Sequence, residues 1–276
     1  MASELVTTSP DMSVTTKPNL SPISARFAAL KAEGRRALVC YVTAGHPDPA
    51  QCVELLRGLE AAGADIIEVG VPFSDPLADG PVIQRSSQIA IEHGMTLERT
   101  LSIISEAKLT VPVVLFSYLN PIIAAGPDVL ARARAAGVSG VLVTDLPVGA
   151  DREREEWFGA SGLDFVRLVA PTTPAPRMAE IALHGGGFVY LISRMGVTGE
   201  QDALSTELPA TVARLRSATT LPICIGFGIS TPEQARVAAT LGDGVIVGSA
   251  IVRAAERSVA DALELTRLLR QAIDAA

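Results

Sequence analysis

Beyond about residue 37 the chain alternates between two apolar rhythms. Short runs dense in β-branched residues are each followed by a longer stretch whose apolar positions recur at helical spacing. The strand-like runs are Ala37–Val42, Ile66–Val71, Val111–Phe116, Gly140–Thr144, Phe165–Val169, Phe188–Ile192, Pro222–Ile225 and Gly244–Val247. The helical stretches are Pro49–Ala62, Pro81–His93, Leu97–Ala107, Asp128–Ala136, Asp151–Ala160, Ala175–His184, Thr206–Ser217, Glu233–Thr240, Ser249–Ala254 and Val259–Asp274. Thr96 stands where an N-cap is needed, and Gly137 where a helix must stop. Strands this apolar are buried on both faces, as in a parallel sheet with helical crossovers. Eight such units predict one closed (β/α)8 TIM barrel over residues 23–276. An open doubly wound sheet would want G-x-G-x-x-G after the first strand, where Ala44-Gly45-His46-Pro47 stands instead. Ahead of the barrel, Arg26–Glu33 predicts an extra helix covering one end. Residues 1–22, rich in Ser, Thr and Pro and without apolar periodicity, predict a disordered tail.

One strand breaks the pattern. In Asp65-Ile66-Ile67-Glu68-Val69-Gly70-Val71 the period of two puts Ile67, Val69 and Val71 on one face and Ile66, Glu68 and Gly70 on the other. A carboxylate thus sits on a strand otherwise buried on both sides, which is costly unless the charge is paired or the group carries protons. The following loop, punctuated by Pro72, Pro76 and Pro81, holds Asp75 and Asp79. If the fold brings Glu68 and Asp79 to one cleft, the pair forms an acid–base site without a metal. Asp145, just after the fourth strand, is a third candidate. Asp65 and Asp75 are expected to serve a turn and a cap.

Composition narrows the chemistry. The chain is 48% hydrophobic but only 4% aromatic, so its core is aliphatic. A net charge of −7 with no basic run argues against nucleic acid and anionic membranes as partners. No apolar run has the length of a spanning helix, and the N-terminus lacks a signal-peptide core; a cytoplasmic setting is expected. Cys40, Cys52 and Cys224 have no motif spacing, and Cys40 and Cys224 read as core residues. The three lysines, Lys17, Lys31 and Lys108, follow no strand, which disfavours Schiff-base chemistry. His46, His93 and His184 are scattered, and no metal site is expected.

A TIM barrel works at the C-terminal ends of its strands. The loops after the last two strands, Gly226-Phe227-Gly228-Ile229-Ser230 and Gly248-Ser249-Ala250, precede a short helix and resemble a phosphate cradle. The polar stretch from Ser193 to Ser205, with Gly196 and Gly199 as hinges, reads as a lid.

The run Glu68-Val69-Gly70-Val71-Pro72-Phe73-Ser74-Asp75-Pro76-Leu77-Ala78-Asp79-Gly80-Pro81 closely resembles the active-site segment of the tryptophan synthase α chain family. The resemblance continues through Tyr118-Leu119-Asn120-Pro121, Thr144-Asp145-Leu146-Pro147, Gly196-Val197-Thr198-Gly199 and the two glycine loops. It implies cleavage of indole-3-glycerol phosphate to indole and glyceraldehyde 3-phosphate, a cofactor-free retro-aldol step. Glu68 would then be the general acid–base, and Asp79, nearer water and ionised, would steady the indole N–H. Tyr41, Phe116, Tyr118, Asp145, Tyr190 and Thr198 would line or support the indole pocket. Gly199, Phe227, Gly228, Gly248 and Ser249 would hold the phosphate. The implied partner is a β chain carrying pyridoxal phosphate, in an α2β2 heterotetramer; a stand-alone lyase releasing indole would share the same site. Met195 and Glu200 depart from the residues common in the family's lid.

Overall fold

In the computed structural model, residues 20–193, 206–226 and 228–276 are described. The elements run α1 (Pro22–Ala32), β1 (Ala37–Thr43), α2 (Pro49–Ala61), β2 (Ile66–Gly70), α3 (Pro81–Glu92), α4 (Leu97–Ala107), β3 (Val113–Ser117), α5 (Leu119–Ala124), α6 (Val129–Ala135) and β4 (Val138–Val143). They continue with α7 (Arg152–Gly159), β5 (Asp164–Val169), α8 (Ala175–Leu183), β6 (Val189–Ile192), α9 (Leu208–Ala218), β7 (Ile223–Gly226), α10 (Pro232–Leu241), β8 (Gly244–Val247), α11 (Ser249–Arg257) and α12 (Val259–Asp274). The strands pair in parallel in chain order, and β8 closes onto β1, giving the expected eight-stranded barrel.

The period of two sorts each strand into an inner and an outer face. Val39, Ile66, Val114, Leu142, Val166, Phe188 and Ile246 pack together inside the barrel. Leu38, Cys40, Ile67, Val69 and Leu115 face outward against helix residues such as Leu55, Leu56 and Leu59. Cys40 and Cys224 are both buried in these cores. α1 inserts Ile23, Phe27 and Leu30 into the inner cluster, with the rings of Phe27 and Phe188 5.9 Å apart, and so closes the N-terminal end.

Three local expectations change. α1 begins at Pro22 rather than Arg26, because Ser21 caps it by accepting the Ser24 N–H and donates its hydroxyl to Asp164. The expected tail, apart from its last three residues, lies outside the described residues. α5 was not anticipated: at six residues it is too short to show a period, and its first turn is held by Asp145, which accepts the Leu119 N–H at 2.7 Å. Asp65 does not serve a turn. Fully buried, it accepts the Leu38 N–H at 2.7 Å, Arg270 at 2.8 Å and a close hydrogen bond from Arg26, tying β1, β2, α1 and α12 together. The cap at Thr96 forms as the sequence indicates, and Thr231 caps α10 with a full capping box.

Candidate active site

β2 carries Glu68 into the barrel one inward step above Ile66, close to the C-terminal mouth. Register sets Tyr41 of β1 and Val114 of β3 beside it. Glu68 is 1% exposed, and neither carboxylate oxygen has a hydrogen-bond partner among the described residues. Burial alone pushes its carboxyl up to about 8. Such an unpaired acid is anomalous, because buried polar groups are normally satisfied. By contrast, Asp65 three residues earlier has all its charge matched.

Two glycines make room for the tyrosines of this mouth. A Cβ at Gly70 would lie 2.1 Å from the Tyr41 hydroxyl, and one at Gly226 would lie 2.5 Å from that of Tyr190. Both tyrosines therefore bend across a glycine of the neighbouring strand, with their hydroxyls held inside the mouth. Tyr41 also meets Phe116 edge to face at 5.2 Å. Burial raises both tyrosines well above the ordinary phenol value, and Glu68 and Asp79 add to the rise. These groups share one electrostatic environment. The two glycines were not singled out as site residues, although Gly70 shares the inner face of Glu68.

Asp79 lies in the loop between β2 and α3. It is half-buried, and burial pushes its carboxyl up to about 6, while the Tyr118 hydroxyl pulls the other way. The aspartate thus remains mainly ionised at neutral pH, by a narrower margin than a solvated loop residue would. Tyr118, at the end of β3, fixes this loop. Its oxygen accepts the Ala78 N–H at 2.9 Å, and its ring lies 5.2 Å from that of Phe73. Asp145 is exposed and holds α5 through Leu119, supporting the wall behind Tyr118. Asp75 is also exposed and accepts a hydrogen bond from the Ser74 hydroxyl at 2.5 Å.

At the same end of the barrel, Gly248 precedes α11 and Ser249 opens it. Gly228 adopts φ +80°, a left-handed conformation that glycine accepts readily. The N-terminus of α11 directs free backbone N–H groups and a favourable dipole toward the mouth. Phe227, Thr198, Gly199 and the expected lid lie outside the described residues. Glu68, Asp79, Tyr41, Phe116, Tyr118 and Tyr190 therefore surround one mouth, with Gly228, Gly248 and Ser249 on its β7–β8 side.

The family model of the tryptophan synthase alpha chain matches residues 27–274. The chain is 48% identical over 241 residues to the tryptophan synthase alpha chain of Citrifermentans bemidjiense, covering 86% of this chain and 90% of that one. It is 46% identical over 243 residues to that of Desulfatibacillum aliphaticivorans, covering 87% and 92%. Among solved structures, the subunit alpha of Legionella pneumophila superposes with a TM-score of 0.84 at 34% identity, over 93% of this chain and 100% of that one. A tryptophan synthase structure from Mycobacterium tuberculosis gives 0.86 at 34% identity, over 93% and 99%. With the barrel, the unpaired inner acid and matches that run nearly end to end, the chain belongs to the tryptophan synthase alpha chain family.

Proposed function

We propose that Glu68 and Asp79 carry out the reaction of this family, the retro-aldol cleavage of indole-3-glycerol phosphate to indole and glyceraldehyde 3-phosphate. The observation that supports this assignment is the buried, unpaired Glu68 carboxyl, raised to about 8 and hence protonated at neutral pH. It donates that proton to the indole carbon bearing the glycerol chain, making the ring a cationic indolenine. Asp79, ionised, accepts the indole N–H and stabilises the positive ring. Glu68, now a carboxylate, takes the proton of the adjacent hydroxyl. The C–C electron pair returns to the ring, which regains aromaticity, and the severed fragment leaves as the aldehyde. Protons and charge balance, and Glu68 ends as it began. No step needs a cofactor in this chain.

Gly228, Gly248 and Ser249 are proposed to hold the phosphate and so position the ring over Glu68. Gly228→Val should raise KM and weaken competitive inhibition by inorganic phosphate alike, each by about tenfold or more, since a β-branched residue is strained at that φ. Weakened substrate binding with unchanged phosphate inhibition would place the anion elsewhere.

The family implies a β-chain partner. We propose an α2β2 complex in the cytoplasm, a reducing compartment that suits the three buried free thiols. We propose that the loop carrying Asp79, where Leu77 is 89% exposed, meets the β chain, so that docking reaches the aspartate directly. The test is indole release across pH, with and without a β chain. The kcat/KM profile should rise near pH 6, as Asp79 ionises, and fall near pH 8, as Glu68 loses its proton. Asp79→Asn should remove the rising limb, and the β chain should increase turnover. A flat profile would refute the two carboxyl roles, and high turnover unaffected by a β chain would favour the stand-alone lyase.

A further inference from the structure

α3 begins two residues after Asp79 and packs at the rim of the mouth. Its Ile83 meets Tyr41 of β1 and Val252 of α11 in one small apolar cluster, and Arg85 adds an exposed ion pair to Glu256 of α11 at 2.6 Å. Apolar contact and a solvated ion pair keep a helix near its neighbours without fixing its register, because neither is strongly directional. One contact is directional. Thr43, the last residue of β1, shares the inner face with Val39 and Tyr41, and its Oγ1 lies 2.6 Å from Ser86 Oγ of α3. Both residues are buried. Ser86 also lies 2.9 Å from the Ile83 carbonyl, which can only accept. A hydroxyl has one proton to give. With that of Ser86 given to Ile83, Thr43 is the donor in the pair, and its oxygen is left to receive the Tyr41 hydroxyl at 3.5 Å. The string runs from Tyr41 through Thr43 and Ser86 to the Ile83 carbonyl.

The first turns of α3 also hold Asp79. Gln84 Nε2 donates to the Asp79 carbonyl at 2.9 Å, and the Gln84 N–H donates to that of Gly80 at 3.0 Å. The backbone of Asp79 is thus tied to α3, whereas Glu68 is fixed in β2, whose neighbour β1 carries Thr43. Tyr118 anchors the Asp79 loop from the β3 side through the Ala78 N–H. From the β1 side, the relation between the two carboxyls is set across the Thr43–Ser86 contact. We propose that Thr43 and Ser86 are positioning residues: their hydroxyl pair clamps α3 to the end of β1 and so holds Asp79 in place relative to Glu68. Neither hydroxyl takes part in the chemistry; both act through α3. A catalytic group displaced by about 1 Å can cost on the order of 10²-fold in rate, so a loosened helix has a kinetic consequence.

This role rests on the catalytic reading of Asp79, and the experiments separate the two. Ser86→Ala removes the acceptor of the pair without adding bulk. It should lower kcat for indole release by about three- to tenfold and leave inhibition by inorganic phosphate unchanged. Thr43→Val should do the same, and Thr43→Ser should retain the parent turnover. The Thr43→Val, Ser86→Ala double variant should cost no more than either change alone, because both remove one shared bond. In an Asp79→Asn background, Ser86→Ala should add nothing. Equal losses in both backgrounds, weaker phosphate inhibition alongside the fall in kcat, or an unchanged kcat would each overturn the proposal. Amide hydrogen exchange of the unliganded full chain reads the clamp without turnover. Ser86→Ala should speed exchange at Asp79 and Gln84 by about tenfold and leave Ala235 of α10 as in the parent. Unchanged exchange at Asp79 and Gln84 would overturn the clamp even where kcat falls. Normal turnover of Asp79→Asn would instead overturn the catalytic reading of Asp79, and the exchange rates would then decide the clamp.

Discussion

Glu68→Gln should lose cleavage by about 10²–10⁴-fold or more and at the same time give a more stable protein. The first effect follows because the amide keeps the shape of the side chain but can neither donate an acidic proton to carbon nor collect one from the hydroxyl. The second follows from linkage. The buried carboxyl is raised from the ordinary glutamate value of 4.5 to about 8, so the folded state holds a proton that the unfolded chain releases across that window. Its contribution to stability is complete below the ordinary value and declines as pH rises toward about 8. The neutral amide escapes that decline. The variant should therefore gain on the parent steadily as pH rises from about 4.5 to 8, by roughly 4 kcal/mol at most over that window. Thermal denaturation across pH reads the stability, and indole release reads the chemistry. Unchanged turnover would remove Glu68 from the mechanism. A parent stability that does not fall relative to the variant between pH 5 and 8 would show that the carboxyl is not held neutral.

The same residue shows what a sequence can convey. Strand periodicity put Glu68 on one face with Ile66 and Gly70, and one carboxylate among β-branched neighbours marked the site; the fold makes that face the inner one. The barrel was equally legible, because each strand–helix unit announces itself locally and closure follows from their number. What could not be read depended on contacts between distant units. α5 is held at its start by an aspartate 26 residues away, so its own six residues carry too little signal. The space for Tyr41 and Tyr190 comes from glycines on adjacent strands, a relation set by register. The character of Asp79 depends on how deeply a proline-rich loop folds over the mouth, which composition does not reveal. Asp65 is the sharpest case. In sequence it is a polar residue between Ala64 and a strand, the ordinary setting of a turn, and only the fold brings Arg270 to it from 205 positions away.

That position carries the largest stability effect expected away from the active site. Asp65→Ala should destabilise the protein by about 3–5 kcal/mol, lowering Tm by roughly 10 °C, without changing the turnover of the molecules that remain folded. The carboxylate is 1% exposed and serves three donors: the Leu38 N–H, the guanidinium of Arg270 and that of Arg26. Removing it strands the Leu38 N–H and leaves Arg270, itself buried, with only its bonds to Asp274 at 2.6 and 3.0 Å. Asp65→Asn should cost less, because the amide oxygen still accepts one donor and only the charge is lost. Arg26→Ala should cost least, since that guanidinium is one-third exposed and water can replace its partner. The ranking separates charge burial from the mere loss of a contact. Asp65 precedes β2 and Glu68 lies in its middle, so the damage falls where α1 and α12 are tied to the start of β2 rather than on the mouth. Turnover per folded molecule, measured well below the lowered Tm, should therefore be retained. A fall in turnover matching the fall in stability would mean that the two ends of the barrel are coupled through β2 more tightly than their separate packing implies.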